Sequence, residues 1–212
     1  MPNGTRATAR QYWVAIRAIL VLTAGLGIVY PLVMTGIGQL FLHDKANGSA
    51  VSLDGKVVGS SLIGQSFTDK KGNPLPQWFQ SRPSAATNNA ANGYDANGSS
   101  GSNYGPNNPD LIKAIGDRHK VIEDTYGVTV EQIPADAVTA SGSGLDPDIS
   151  PAYAQLQVKT VATTRGISEA SVQKLVDQNT HGRQLGYLGD PVVNVVQLNL
   201  DLARLDPDGN HQ

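Results

Sequence analysis

From Ala18 to Leu42 the chain carries no formally charged residue, and no other feature restricts its folding as strongly. A helix over that run rises about 37 Å at ~1.5 Å per residue, enough to cross a bilayer with some tilt. A cleaved signal peptide has an apolar region of roughly 7 to 15 residues, followed by small residues at a cleavage site. Here Tyr30-Pro31-Leu32 runs directly into Val33, Met34, Ile37, Leu40 and Phe41, so the run reads as an anchor. Pro31 removes one backbone hydrogen bond and predicts a kink. Gly25, Gly27, Gly36 and Gly38 either permit close approach by another helix or are ordinary membrane-helix composition. Arg6, Arg10 and Arg17 precede the run, and beyond it Lys45 is followed by no positive charge until Lys56. The positive-inside rule then keeps the N-terminus cytoplasmic and sends the bulk of the chain outward, giving a single-pass protein of the cell membrane. The expected organisation is a cytoplasmic N-terminus over 1–11, a transmembrane helix over 12–42 with Tyr12 and Trp13 at its inner interface, and one soluble extracytoplasmic domain over 43–212.

A chain of 212 residues has room for that span and one ordinary domain, and is too short for a complete ion pump. A net charge of −2 on a charged fraction of 16% leaves no basic surface to neutralise a nucleic-acid backbone. Cys is absent, which excludes disulfides, thiolate catalysis and thiolate zinc sites. The many Gly, Asn and Ser point to a domain rich in turns, and the fold class expected is α+β.

Along the domain, Val51-Ser52-Leu53 and Lys56-Val57-Val58 flank Asp54-Gly55, a pair suited to a tight hairpin turn. Trp78-Phe79 reads as core. The Asn- and Gly-rich stretch from Ser84 to Asn108, which includes Asn88-Asn89, is too long for a plain connector. Asn108 caps a predicted helix with Pro109 at its first position and Leu111, Ile112, Ile115, Ile122 and Tyr126 on one face, ending at Gly127. A second helix starts at Ser150-Pro151 and ends at Gly166, and Ser168 caps a third, with Ile167 and Val172 as a hydrophobic staple. From Val192 to Leu205 the pattern fits both periods: Val196, Leu198, Leu200 and Leu202 alternate, while Val195, Leu198, Leu202 and Leu205 space as a helix. A strand followed by a helix is expected.

Catalytic motifs are scarce. No Gly-rich loop carries the Lys and Ser or Thr that meet phosphate and magnesium. Asp69-Lys70-Lys71-Gly72 resembles an aspartyl-phosphate motif only in part and reads as an exposed turn. His43, His119, His181 and His211 are scattered over a linker, a helix face, a loop and the terminus, so no metal site is expected. Asp146 and Asp148 form either a hard-cation pair or, preferably, negative charge at a helix entry. Ser84, Ser141, Ser143 and Ser150 lack a base identifiable from sequence, which leaves a membrane-anchored extracytoplasmic hydrolase or ligand-binding domain as the alternative function.

Several ordered blocks carry a resemblance. They are Tyr30-Pro31, Ala46-Asn47-Gly48-Ser49, Gly59 through Phe67, Phe79-Gln80-Ser81-Arg82-Pro83-Ser84-Ala85, Gly101-Ser102-Asn103, Asn108-Pro109 and Val138 through Pro147. Ile149-Ser150-Pro151, Gln157, Val161-Ala162, Arg165, Gly189 through Val195 and Leu198-Asn199-Leu200 complete the series. In order and spacing the chain resembles the KdpC family, the small accessory subunits of the Kdp potassium-transporting ATPase. Asp148, Thr160 and Tyr104 depart from the usual pattern. The resemblance implies a non-catalytic subunit that assembles with a potassium-channel-like subunit and a P-type ATPase subunit. It further implies a catalytic chaperone that raises the pump's ATP affinity, with no cofactor of its own. ATP would be met only in a ternary complex with the ATPase subunit, and Gln157 matches the glutamine compared in this family with an ABC signature residue.

The charge distribution places Gln157 outside the cell, whereas ATP is abundant inside. An amide that hydrogen-bonds a neighbouring loop is the preferred reading of Gln157. The same topology offers a further role, in which backbone and Asn carbonyls of the Ser84–Asn108 stretch present oxygen ligands to entering potassium.

Overall fold

The structure, a computed structural model, describes residues 4–87 and 92–211. Asn88-Asn89 therefore lie outside the described residues. The chain divides into two compact units, Met1–Ser49 and Ala50–Gln212.

The first unit is helical: α1 (Gly4–Ala24), one π turn (Gly25–Val29), α2 (Tyr30–Phe41) and a single further turn, α3 (His43–Ala46). Within it Thr8–Phe41 is long and apolar enough to cross a membrane, and none of the stretch is buried. The expected disturbance at Pro31 takes the form of the π turn. Pro31 has no N–H to give Gly27, and its ring would collide with that carbonyl in a regular helix. The backbone instead widens by one residue, with the Tyr30 N–H donating to Gly25 O. No heavy atom beyond the helix's own neighbouring backbone comes within 4 Å of where a side chain would start at Gly25 or Gly36. After α2, the Asn47 amide donates to His43 O at 2.7 Å and to Gln39 Oε1 at 3.1 Å, closing the helix end.

The second unit mixes helix and strand, as the composition led us to expect. β1 (Ala50–Leu53) and β2 (Lys56–Ser60) form the hairpin, with Asp54 at φ 51° and Gly55 at φ 77°, the left-handed pair that a two-residue turn demands. A bulge between Val51 and Ser52 shifts their register. A long irregular stretch leads to α4 (Pro109–Tyr126), where the Asn108 side chain accepts from the Asp110 N–H at 2.7 Å and Gly127 closes the helix at φ 65°. The single turn α5 (Ala135–Val138) and strand β3 (Asp148–Ile149) precede α6 (Pro151–Arg165) and α7 (Glu169–Gln178), capped by Ser150 and Ser168. β4 (Thr180–His181), β5 (Val192–Asn194) and α8 (Val195–Leu205) complete the unit. β5 lies between β3 and β4, antiparallel to both.

The core gathers around α6, whose Tyr153, Ala154, Val158, Val161 and Ala162 are buried with Phe79, Ile122, Val172, Leu198 and Leu202. A smaller cluster of Val51, Val196 and Leu200 lies under the hairpin. Strand then helix is indeed the order after Val192, but the strand stops at Asn194. The apparent alternation through Leu202 arises because α8 is buried on two sides, with Leu198 and Leu202 in the main core and Val196 and Leu200 beneath the hairpin.

Candidate functional site

Residues Gln77 to Gln80 run through the interior without joining a sheet, and buried backbone polar groups must find partners. Side chains supply them. Asn199 of α8 accepts from the Phe79 N–H and donates to Phe79 O, both at 2.9 Å. Gln157 of α6 treats the next residue similarly: its Oε1 accepts from the Gln80 N–H at 2.6 Å and its Nε2 donates to Gln80 O at 3.3 Å. Each amide mimics the edge of a neighbouring strand. Arg165, at the end of α6, donates through Nε to Gln77 O at 2.7 Å, stacks 4.3 Å from the Trp78 ring centroid and reaches Asp206 and Asn210 with Nη1. Phe79, Gln157 and the Arg165 side chain are fully enclosed.

Gln157 therefore behaves as the loop-bracing amide that we preferred from sequence. Its Oε1 also accepts from the Tyr126 hydroxyl at 3.2 Å, so it ties α4 and the 77–84 segment to the same point. Both elements line a cleft of about 270 Å³. Phe67, Pro74, Val121, Ile122 and Tyr153 give it apolar surface, and Arg82 and Arg118 give it charge. Arg82 pairs with Asp146 at 2.9 Å. The Tyr94 hydroxyl bridges Arg82 O and Asp146 O at 2.9 and 3.3 Å, and burial pushes its pKa up to about 12. Ser84 Oγ donates to Gly144 O at 2.7 Å and accepts from the Tyr94 N–H at 3.0 Å, tying Ser84 and Tyr94 to the 141–146 loop. Gly64 packs so closely here that a side chain would strike Tyr94 and the Asp146 carbonyl.

Other sequence candidates have structural partners. The Asp69 carboxylate accepts from the Lys71 and Asn73 N–H groups in a turn where Gly72 has φ 87°, consistent with an exposed turn. Asp146 and Asp148 do not supply the helix-entry charge. Asp146 is taken by Arg82, Asp148 accepts from Asn194 Nδ2 at 3.1 Å, and it is Asp136 that binds the Ser150 N–H and hydroxyl at the start of α6. Ser141 and Ser143 share a hydrogen bond at 3.2 Å. His43 and His181 are exposed, but His119 is half-buried on α4 and His181 lies in β4 rather than a loop; the side chain of His211 lies outside the described residues. Among the described residues no three His, Cys, Asp or Glu side chains gather as a metal site would.

Sequence reasoning passed over Arg82 and Arg118 as site residues. Arg118 had a signal: it lies three residues after Ile115 and four before Ile122, inside the apolar stripe of α4, where a charge is out of place.

Comparison with known proteins completes the picture. Residues 12–204 match the family model described as KdpC, the c chain of the K+-transporting ATPase. Potassium-transporting ATPase KdpC subunits of Streptomyces avermitilis, Kineococcus radiotolerans and Mycobacterium tuberculosis are each 47% identical to it. The matches cover 97%, 93% and 92% of this chain and 98%, 95% and 99% of those proteins, respectively. With a family match over nearly its whole length and such relatives, the chain belongs to the KdpC family, the c chains of K+-transporting ATPases, and has an accessory role in potassium transport.

Proposed function

We propose that this subunit is non-catalytic and acts within an assembled pump. It joins a potassium-channel-like subunit and a P-type subunit that alone hydrolyses ATP. Its N-terminus is cytoplasmic and its mixed domain faces outward, as Arg10 and Arg17 before the apolar run favour. It raises the pump's ATP affinity through subunit contacts, and Gln157 does not touch the nucleotide. One observation carries this reading: the Gln157 amide is fully enclosed, and its two ends are engaged by Gln80 and Tyr126. An amide so placed reaches ATP only if the cleft walls separate. Serine hydroxyls considered for hydrolysis also hold the fold together, as in the Ser150–Asp136 and Ser84–Gly144 contacts.

The test is an ATP titration of the complete complex carrying Gln157→Ala, at matched subunit content and saturating potassium. The apparent ATP constant is expected to stay at the wild-type value while thermal stability falls. A direct contact would instead raise that constant roughly two- to tenfold, the range of one or two lost hydrogen bonds, in a complex of unchanged stability. That result would overturn the proposal.

A further inference from the structure

The cleft between α4 and the 77–84 segment contains a charge without a counter-charge. Arg118 is half-buried, and its Nη1 donates to Val138 O at 2.7 Å. Among the described residues no carboxylate pairs with it, because Asp117 on the same wall is bound by Lys113 and Arg82 holds Asp146. Burial draws the Arg118 pKa below its ordinary value, as expected for a guanidinium that has lost water and gained no anion. The neighbouring hydroxyls are already engaged: Ser66 with Thr68, Ser81 with Gln65 O, and Ser84 with Gly144 O. The other neutral polar side chains of the lining, Gln80, Asn92 and Thr125, donate to the backbone carbonyls of Leu75, Asp69 and Val121, and the rest of the wall is mainly apolar and aromatic.

We propose that this cleft is a binding site for a monoanion, a carboxylate carried on a compact apolar or aromatic body, with the Arg118 guanidinium as its counter-charge. A planar guanidinium matches a carboxylate with two parallel hydrogen bonds, and desolvation strengthens the pairing. At about 270 Å³ the cleft lies just below the usual range for drug-sized ligands, so the body is small. Potassium does not suit it, since Arg118 repels a cation and both nearby carboxylates already have partners. A nucleoside triphosphate does not suit it either, because its several negative charges would face one uncompensated guanidinium. Gln157 positions the site by bonding Gln80 and Tyr126, which both line it. A free organic acid supplies both the carboxylate and the apolar body, whereas an acidic side chain of a neighbouring subunit would supply only the carboxylate to Arg118.

Benzoate is a suitable probe, with benzamide as its neutral counterpart, added to the full chain in detergent while thermal unfolding is followed. Benzoate is expected to raise the unfolding midpoint saturably and benzamide to leave it unchanged. Arg118→Gln should weaken benzoate binding roughly tenfold or more, the scale of a charge-assisted pair, and Arg118→Lys should retain part of it. Val121→Trp, at a half-exposed position on the cleft wall, should block binding by filling the space without touching the charge. Equal responses to benzoate and benzamide, no response to benzoate, or benzoate binding that is undiminished in Arg118→Gln or in Val121→Trp would each overturn the proposal. Repeating the titration on the assembled complex identifies the source. Unchanged benzoate affinity there assigns the site to a free acid, and binding that is blocked until the subunits are separated assigns it to a partner's carboxylate.

Discussion

At Gln157 and Asn199, two side-chain amides do what a neighbouring strand does elsewhere, offering a donor and an acceptor to one backbone residue. Gln157→Ala leaves the Gln80 N–H and C=O buried without partners, at about 1 to 3 kcal/mol for each orphaned group. The variant is expected to lose about 2 to 6 kcal/mol, seen as a lower denaturation midpoint of the full chain, and a wild-type midpoint would refute the bracing role. Asp148 behaves differently. Burial, then the nearby charge of Asp146, raises its pKa above the ordinary 3.8. The folded chain therefore holds this proton to higher pH than the unfolded chain does. Asp148 is neutral in both states below pH 3.8, and it weakens the fold increasingly as pH rises through its folded pKa. Asp148→Asn keeps an acceptor for Asn194 and removes the charge. Its gain in stability over wild type should be absent in strong acid and grow with pH to a plateau; a pH-independent offset would exclude this account.

Among the elements, the π turn before Pro31 and the doubly buried α8 show how local chemistry and packing divide the work. The π turn follows from one missing N–H and one ring, both properties of Pro31. Pro31→Ala restores the donor for Gly27 and permits a regular helix. Closing the turn removes one residue of phase, so α2 should rotate by about 100° relative to α1, given ~3.6 residues per turn. Spin-label distances between sites on α1 and α2 would register that change, and identical distances in both proteins would show that the π turn has another cause. α8 has no such local determinant. Its two buried faces exist only because the hairpin covers Val196 and Leu200 while the main core covers Leu198 and Leu202.

For the whole molecule, the decisive question is which side of the membrane holds the mixed domain. The chain has no native Cys, so single cysteines report sidedness without background. Ala96→Cys, at an exposed position of the domain, should react with a membrane-impermeant thiol reagent in intact cells. Thr5→Cys, ahead of the apolar run, should react only after lysis. The reverse pattern would put the domain in the cytoplasm and make a nucleotide contact at Gln157 feasible again.

Local features of this chain were legible because they depend on short-range chemistry. An uncharged run longer than a bilayer is thick, Asp54-Gly55 between β-rich triplets, and Asn108-Pro109 and Ser150-Pro151 ahead of apolar stripes each determine a structure from neighbouring residues alone. The ordered motif blocks likewise identified the family. Tertiary structure alone decided how those motifs cooperate. Gln157, Arg165 and Asn199 are 77, 88 and 120 residues from the backbone groups that they satisfy, and no local pattern encodes such pairings. It also decided that Asp146 serves Arg82 while Asp136 serves α6, and that Arg118 stands in a cleft without a counter-charge. The physical reason is the same throughout: caps, turns and spans are satisfied within a few residues, whereas buried polar groups are satisfied by whichever partners the packing brings within about 3 Å.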